Sequence, residues 1–337
     1  MSRFVVRRII LAGLMALIIV MISLMNPVFL SVGNIMKLFQ EASQTGIIAL
    51  GFTLVMIIGG IDNSIGAVVA VTSMVCINFL TKTQLPVWVF VPISLLVGAI
   101  TGFFNGFFIT KFKLPEFIVT LATKSILTGI ALVIAVKDSM GFVRNVYIQN
   151  DSYIWIGAQA WGLVYRATIA FLILGIATQF FMKHTRTGTN IFATGANPTA
   201  ASLTGINTKK TIIGVYMFTG ICASVSAVFI SSRMMTAMPE LGLGSEMDVM
   251  ASVVLGGTSF TGGSGDIWGT MLGSLFLALI KNVILKLGIS PWVQPIIIGG
   301  IIVVTVIIDV SQKKLADRLA TKAKLRRLAA ETSQVAM

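Results

Sequence analysis

Hydrophobic positions in this chain do not alternate with polar ones; they run together in blocks separated by short polar connectors. The stretch at 8–25 (RIILAGLMALIIVMISLM) carries no charge after Arg8, and a bilayer core takes about 20 such residues, with a range of roughly 17 to 25. Arg3, Arg7 and Arg8 before it resemble the start of a cleaved signal. No small-x-small cleavage site follows, however, and Asn26-Pro27 ends the run, so it reads as a retained first helix. Continuing along the chain, the blocks predict ten crossings, at about 9–26, 44–60, 65–80, 87–109, 116–136, 166–182, 211–230, 246–260, 267–287 and 292–310. The second, third and eighth are short and interrupted by glycine, which predicts helices that break within the membrane, where protein or a water-filled cavity must satisfy the freed backbone. The clearest break is IIGGIDNSIGA at 57–67, which sets Gly59, Gly60, Asp62, Asn63 and Ser64 where hydrocarbon is expected.

Composition agrees with the pattern. Of 337 residues, 56% are hydrophobic and 11% charged, and the mean hydropathy is +0.94, beyond what a soluble core requires. The chain is therefore read as an all-α polytopic membrane protein. Its net charge of +13 does not point to nucleic acid, because the cations cluster beside the apolar blocks. Arg3, Arg7, Arg8, Lys111, Lys113, Lys183, Arg186, Lys209, Lys210 and the cations after 312 all fall on one side if both termini are cytoplasmic, which satisfies the positive-inside rule. This divides the chain into a membrane domain at 1–310 and a basic cytoplasmic tail at 311–337 that is suited to anionic headgroups. Cys76 and Cys222, far apart in apolar blocks, read as buried free thiols.

Two connectors are long. The external one, 137–165, carries Tyr153, Trp155, Trp161 and Tyr165, residues suited to the headgroup level, and reads as an interfacial helix, the alternative being a docking surface for an external partner. The internal one, 183–210, is too long and too punctuated for a mere linker. The first break also has an echo. IIGGIDNSIGA aligns with VLGGTSFTGGS at 254–264, Gly59-Gly60 on Gly256-Gly257 and Asp62 on Ser259, and the sequence after Asn105 aligns with that after Asn282. The expectation is two parallel repeat halves, about 44–136 and 246–310, whose interrupted segments flank a pathway. Phe103, Phe104 and Asn105 are candidates for lining it, the alternative being ordinary packing of the fourth span.

Chemistry is sparse. No G-x-x-x-x-G-K-[ST] occurs, so the chain lacks the loop that would cradle ATP phosphates. The single histidine, His184, has no neighbour to orient it, and no cluster has metal-ligand spacing, so the reading is a non-enzyme without metal. Asp62 is the ionisable group of interest: it caps the helix that follows the break, or lines a pathway, or carries a proton in a secondary transporter. Lys124, inside the fifth span, is either a buried partner for one of the membrane acids or a snorkelling side chain.

The motifs together resemble the permease subunits of bacterial ATP-binding cassette importers of the ribose, xylose, arabinose and galactose type. GGIDNSIGA is similar to the signature G-G-I-D-L-S-V-G; RTGTNIFATGANPTAASLTGI at 186–206 resembles the family's cytoplasmic loop; LGLGSEMDVMASVVLGGTSFTGGSG at 241–265 resembles its third signature. The resemblance implies a coupling helix around Arg186, Gly188, Gly195, Asn197, Pro198, Ala200, Ala201 and Gly205, seated in a groove of a separate ATPase subunit that binds the ATP and magnesium. It also implies a periplasmic or lipid-anchored sugar-binding protein, a second permease copy, identical or not, and the bacterial inner membrane. Asn63 departs from the family's leucine, which leans the reading towards a heterodimer. The sugar is not named by these motifs.

Overall fold

The computed structural model describes residues 3–83, 86–135, 146–147, 149–307 and 311. The chain order is α1 (Arg3–Met25), a 3-10 turn (Pro27–Leu30), α2 (Val32–Ile57), α3 (Ile65–Lys82), α4 (Val87–Phe112), α5 (Glu116–Ile134), α6 (Asp151–Gly157), α7 (Arg166–His184), α8 (Arg186–Ala196), α9 (Pro198–Leu203), α10 (Thr208–Met234), α11 (Ser245–Leu255) and α12 (Ile267–Lys286). The last described helix is α13 (Pro291–Ile307). Side-chain caps start several of the helices: Ser31 accepts from Asn34 N, Thr185 from Gly188 N, Asn197 from Ala200 N, Asn207 from Lys210 N and Asp266 from Gly269 N.

Among the described residues seven helices, α1, α3, α4, α5, α7, α10 and α12, are long and apolar enough to cross a membrane. α11 has 11 residues, and α2 carries Gln40, Glu41 and Gln44 in its middle. Each of the ten expected crossings falls on a helix, with shifted limits. α2 starts at Val32, well before 44, and at 26 residues it is not short; its polar middle had been read as a connector. α3 is also full length, and only α11, ending at Leu255 and not at 260, is truly short. The tail at 312–337 and the end of the tenth crossing at 308–310 lie outside the described residues.

α2 is the central helix, almost wholly buried along its second half, with α7, α10, α11 and α12 packed around it. α4 lies flat on α10 through a glycine stripe. A Cβ at Gly98 would strike the Gly220 carbonyl, at Gly102 the Tyr216 carbonyl and Met217 Cα, and at Gly106 the Ile213 Cα. Small residues at this spacing let two backbones approach in a setting where water drives no association.

The connector at 137–165 is not an interfacial helix throughout. Strand β1 (Val146–Tyr147) pairs antiparallel with β4 (Thr236–Ala237), beyond α10, while β2 (Gln159–Ala160) and β3 (Val164–Tyr165) form a hairpin. Tyr153 is fully buried, its hydroxyl 2.7 Å from Ser231 Oγ, and Gly157 N donates to Ser232 Oγ at 2.7 Å. The segment is thus docked on the end of α10. Trp155 and Trp161 do stay exposed.

The echo also needs correction. α2 and α11 end in the same way: Gly59 N bonds to Met56 O and Gly60 N to Val55 O, just as Gly257 N bonds to Val254 O and Thr258 N to Val253 O. Gly59 has φ 89° and Gly257 φ 92°, so Gly59 is equivalent to Gly257 and not to Gly256. The sequence alignment was one residue out of register. After its break the first half places Asn105 on the second helix, α4, whereas Asn282 sits on the first, α12. The likeness therefore covers helix, break and helix, and does not extend to the asparagine segments.

Candidate translocation site

The two breaks lie at the end of the bundle where α8 and α9 project. Ile57 O accepts from Gly263 N at 2.8 Å, tying the first break to the second. A Cβ on Gly262 would come within 3.0 Å of Gly59 Cα and 3.2 Å of Gly195 O, and one on Gly195 would land on Ile57 O. The end of α8 therefore lies directly against the main chain of both breaks. Arg7 Nη1 donates to Gly257 O at 3.2 Å, and Arg8 bonds Asp266 through Nε at 2.5 Å and Nη2 at 2.7 Å. These arginines, read from sequence as topology markers, also brace the second break. Ser259 is buried beside it, its Oγ 3.1 Å from Thr261 Oγ1.

From Gly60 the chain runs without helix to Ser64 before α3 begins. Asp62 is 2% exposed and its Oδ1 accepts from Ser64 N at 2.8 Å and Ser64 Oγ at 2.6 Å. It staples the turn before α3, and the helix's own first N–H groups take no side-chain cap from Ser64. Asn105 Nδ2 donates to Ser64 Oγ at 2.9 Å, and Thr123 Oγ1 donates to Asn105 Oδ1 at 2.6 Å. Two turns of helix separate Asn105 from the end of α4 and Thr123 from the start of α5, so this network sits about 10 Å inside the bundle. Asn63 is buried, and its Nδ2 has no partner among the described residues. Phe104, by contrast, is 41% exposed and meets Phe108 on α4 with ring centroids 4.4 Å apart and the planes tilted by 39°.

Above the network, Gly242 closes on α3. A Cβ there would lie 2.6 Å from Val69 Cγ1 and 3.0 Å from Gly66 O, and its φ of 89° suits glycine. Beside it Lys124 pairs with Glu246 in the first turn of α11. On the far side of this seal lies a cavity of ≈ 340 Å³ walled by Glu41, Gln44 and Thr45 of α2, Ser245 and Asp248 of α11, Lys281 of α12 and Gln294 of α13. Lys281 pairs with Asp248 across it. A second space of ≈ 690 Å³ shares Ser245, Asp248, Lys281 and Gln294 and continues past Trp292. None of the break residues, nor Phe104 or Asn105, lines either space.

The family described as branched-chain amino acid transport system / permease component matches residues 34–306, most of the chain and every element just described from α2 to α13. The chain belongs to this permease family. Among its relatives, the ribose import permease protein RbsC of Haemophilus influenzae is 33% identical over 296 residues, covering 87% of this chain and 90% of that one. The D-allose transport system permease protein AlsC of Escherichia coli is 32% identical, with 88% and 89% covered. The fructose import permease protein FruG of Bifidobacterium longum is 31% identical, with 87% of each covered. No solved structure gives a significant match.

In this permease the connector at 183–210 folds as two helices, α8 and α9. Gly188 abuts the Met182 backbone, Asn197 caps α9 with Pro198 in its first turn, Ala201 is buried, and Gly205 (φ 85°) closes α9. Arg186 and Ala200 are exposed, as is Leu203 at 84%. Glu41, Gln44, Lys281 and Gln294 were missed by motif reading. Their signal was present nonetheless: Lys37, Gln40, Glu41 and Gln44 recur at the three- and four-residue spacing that puts polar groups on one stripe of a helix.

Proposed function

We propose that the chain is the membrane-spanning subunit of an ATP-driven, binding-protein-dependent importer, moving a sugar or sugar-like solute across a bacterial inner membrane. The observation that carries the reading is the cavity between α2, α11, α12 and α13. Carboxylate, amide and ammonium groups line it alongside aliphatic wall, which suits a neutral polyhydroxylated solute that needs donors and acceptors and no fixed charge. The ribose, allose and fructose importers among the relatives agree with that class.

Ten crossings, with both termini and the α8–α9 segment cytoplasmic, place the cavity on the outer side and the two breaks below it. The Gly242 seal then separates the solute from the inner exit, and inward opening requires α11 to part from α3. α9, protruding with Leu203 exposed, is the coupling helix that docks on a separate ATPase subunit, where ATP and magnesium bind. Because α8 touches both breaks, a push on α9 reaches them through main chain. A binding protein delivers solute from outside, and a second permease copy completes the assembly. Asp62 is committed to Ser64 and stands off the cavity, so proton carriage is not part of this reading.

Solute uptake by cells expressing the permease with its ATPase and binding protein tests the assignment. Vanadate should abolish uptake and an uncoupler should spare it in the short term; uptake that survives vanadate and collapses with the uncoupler would overturn it.

A further inference from the structure

Away from the breaks and the polar cavities, a third space of ≈ 500 Å³ opens between α7, α8 and α10, with Leu54 of α2 at its floor. Its walls are almost wholly apolar: Leu174, Ala177 and Phe181 from α7, Ile191 from α8, Val215 and Phe218 from α10. Lys210 stands at one end, with Thr187 and Thr211 beside it. Ala177, Phe181 and Gly214 are exposed at the mouth, next to Ile173, Ile176 and Phe180, which are 61%, 56% and 62% exposed along α7. A groove of this kind offers a sugar no hydrogen-bonding array. It opens instead onto the face that α7 turns to hydrocarbon, and its one charge sits at the end of the bundle where Lys183, Arg186 and Lys209 are also exposed.

We propose that this groove is a binding site for an anionic phospholipid, one acyl chain lying along Gly214 and Val215 and the headgroup phosphate held by Lys210. Hydrocarbon walls alone would accept any lipid, since lipid tails are as apolar as the side chains they meet. The lysine at headgroup depth adds selection for negative charge, as basic pockets between membrane helices do. The consequence for the fold is local: Thr187 and Ile191 belong to α8, so the bound chain becomes part of the packing that holds α8 against α2 and α10.

Gly214 supplies the test, because a Cβ there would meet nothing within 4 Å. Gly214→Leu fills the groove without touching the body of the protein and replaces a poor helix former with a good one. The full chain, purified in detergent, is offered dioleoyl-phosphatidylglycerol against excess dioleoyl-phosphatidylcholine, and retained lipid is counted by native mass spectrometry. The wild type should keep one phosphatidylglycerol. Gly214→Leu, and Ala177→Phe from the opposite wall, should lose it at least tenfold with unchanged melting temperature. Lys210→Gln should retain a lipid but with the preference for phosphatidylglycerol reduced to near unity. Equal retention by wild type and both filled variants overturns the site, as does a lipid-free wild-type dimer that either filled variant dissociates, since a second copy then covers the groove. Retention is read without ATPase, binding protein or solute, so it stands or falls apart from the transport assignment.

Discussion

At Gly195 the constraint is the absence of a side chain. Any Cβ there falls on Ile57 O, and Gly263 N lies 3.0 Å away, so backbone blocks it on two sides. Gly195→Val should reduce transport at least tenfold and sever binding-protein stimulation of the ATPase, both measurable in proteoliposomes. Asp62 predicts the contrary tolerance. Its Oδ1 accepts from Ser64 N and Ser64 Oγ, and an amide oxygen accepts as well as a carboxylate oxygen. Asp62→Asn should therefore keep transport within about threefold, while Asp62→Leu strands a buried N–H and hydroxyl at a cost of about 1–3 kcal/mol, visible as a lowered melting temperature. Loss of all transport in Asp62→Asn would show that charge, and not the staple, is what the site uses.

For the helices, the glycine stripe of α4 makes a sharper prediction than its composition did. Gly102→Leu must displace Tyr216 and Met217 backbone and should destabilise the bundle by about 1–3 kcal/mol, whereas Gly129→Leu on α5, with nothing within 4 Å of its Cβ, should be silent by thermal unfolding in detergent. Most of the helices were legible in the sequence because hydrocarbon enforces long apolar blocks. α2 was misjudged at its start for the reason that makes it useful: Glu41 and Gln44 are polar because one of its faces meets a cavity, and a hydropathy reading discounts that face. The break at Gly59 was visible as a glycine pair, but its equivalence to Gly257 was not. Only φ and the hydrogen bonds of the helix ends show which glycine of each pair turns the chain. Tyr153 looked interfacial because an aromatic with a hydroxyl suits both a headgroup and a buried serine partner.

Across the whole molecule, polar function is divided between two depths. The Lys281–Asp248 pair joins α12 to α11 in the cavity wall, and Glu41 adds a second carboxylate from α2. Lys281→Met should lower solute transport more than tenfold, and adding Asp248→Leu to it should recover part of the loss, because the orphaned carboxylate is removed; the double-mutant cycle on initial uptake rates measures the coupling. Below, the breaks meet through main chain, and one bond there has a use of its own. The Gly263 amide donates to Ile57 O, so the proton of one glycine records whether the two breaks are together. Deuterium uptake at Gly263 should be slow while they are closed and should accelerate under turnover with ATP and binding protein. That single amide is a clock for the parting of the two breaks, built into the chain, that reads the cycle without an attached probe.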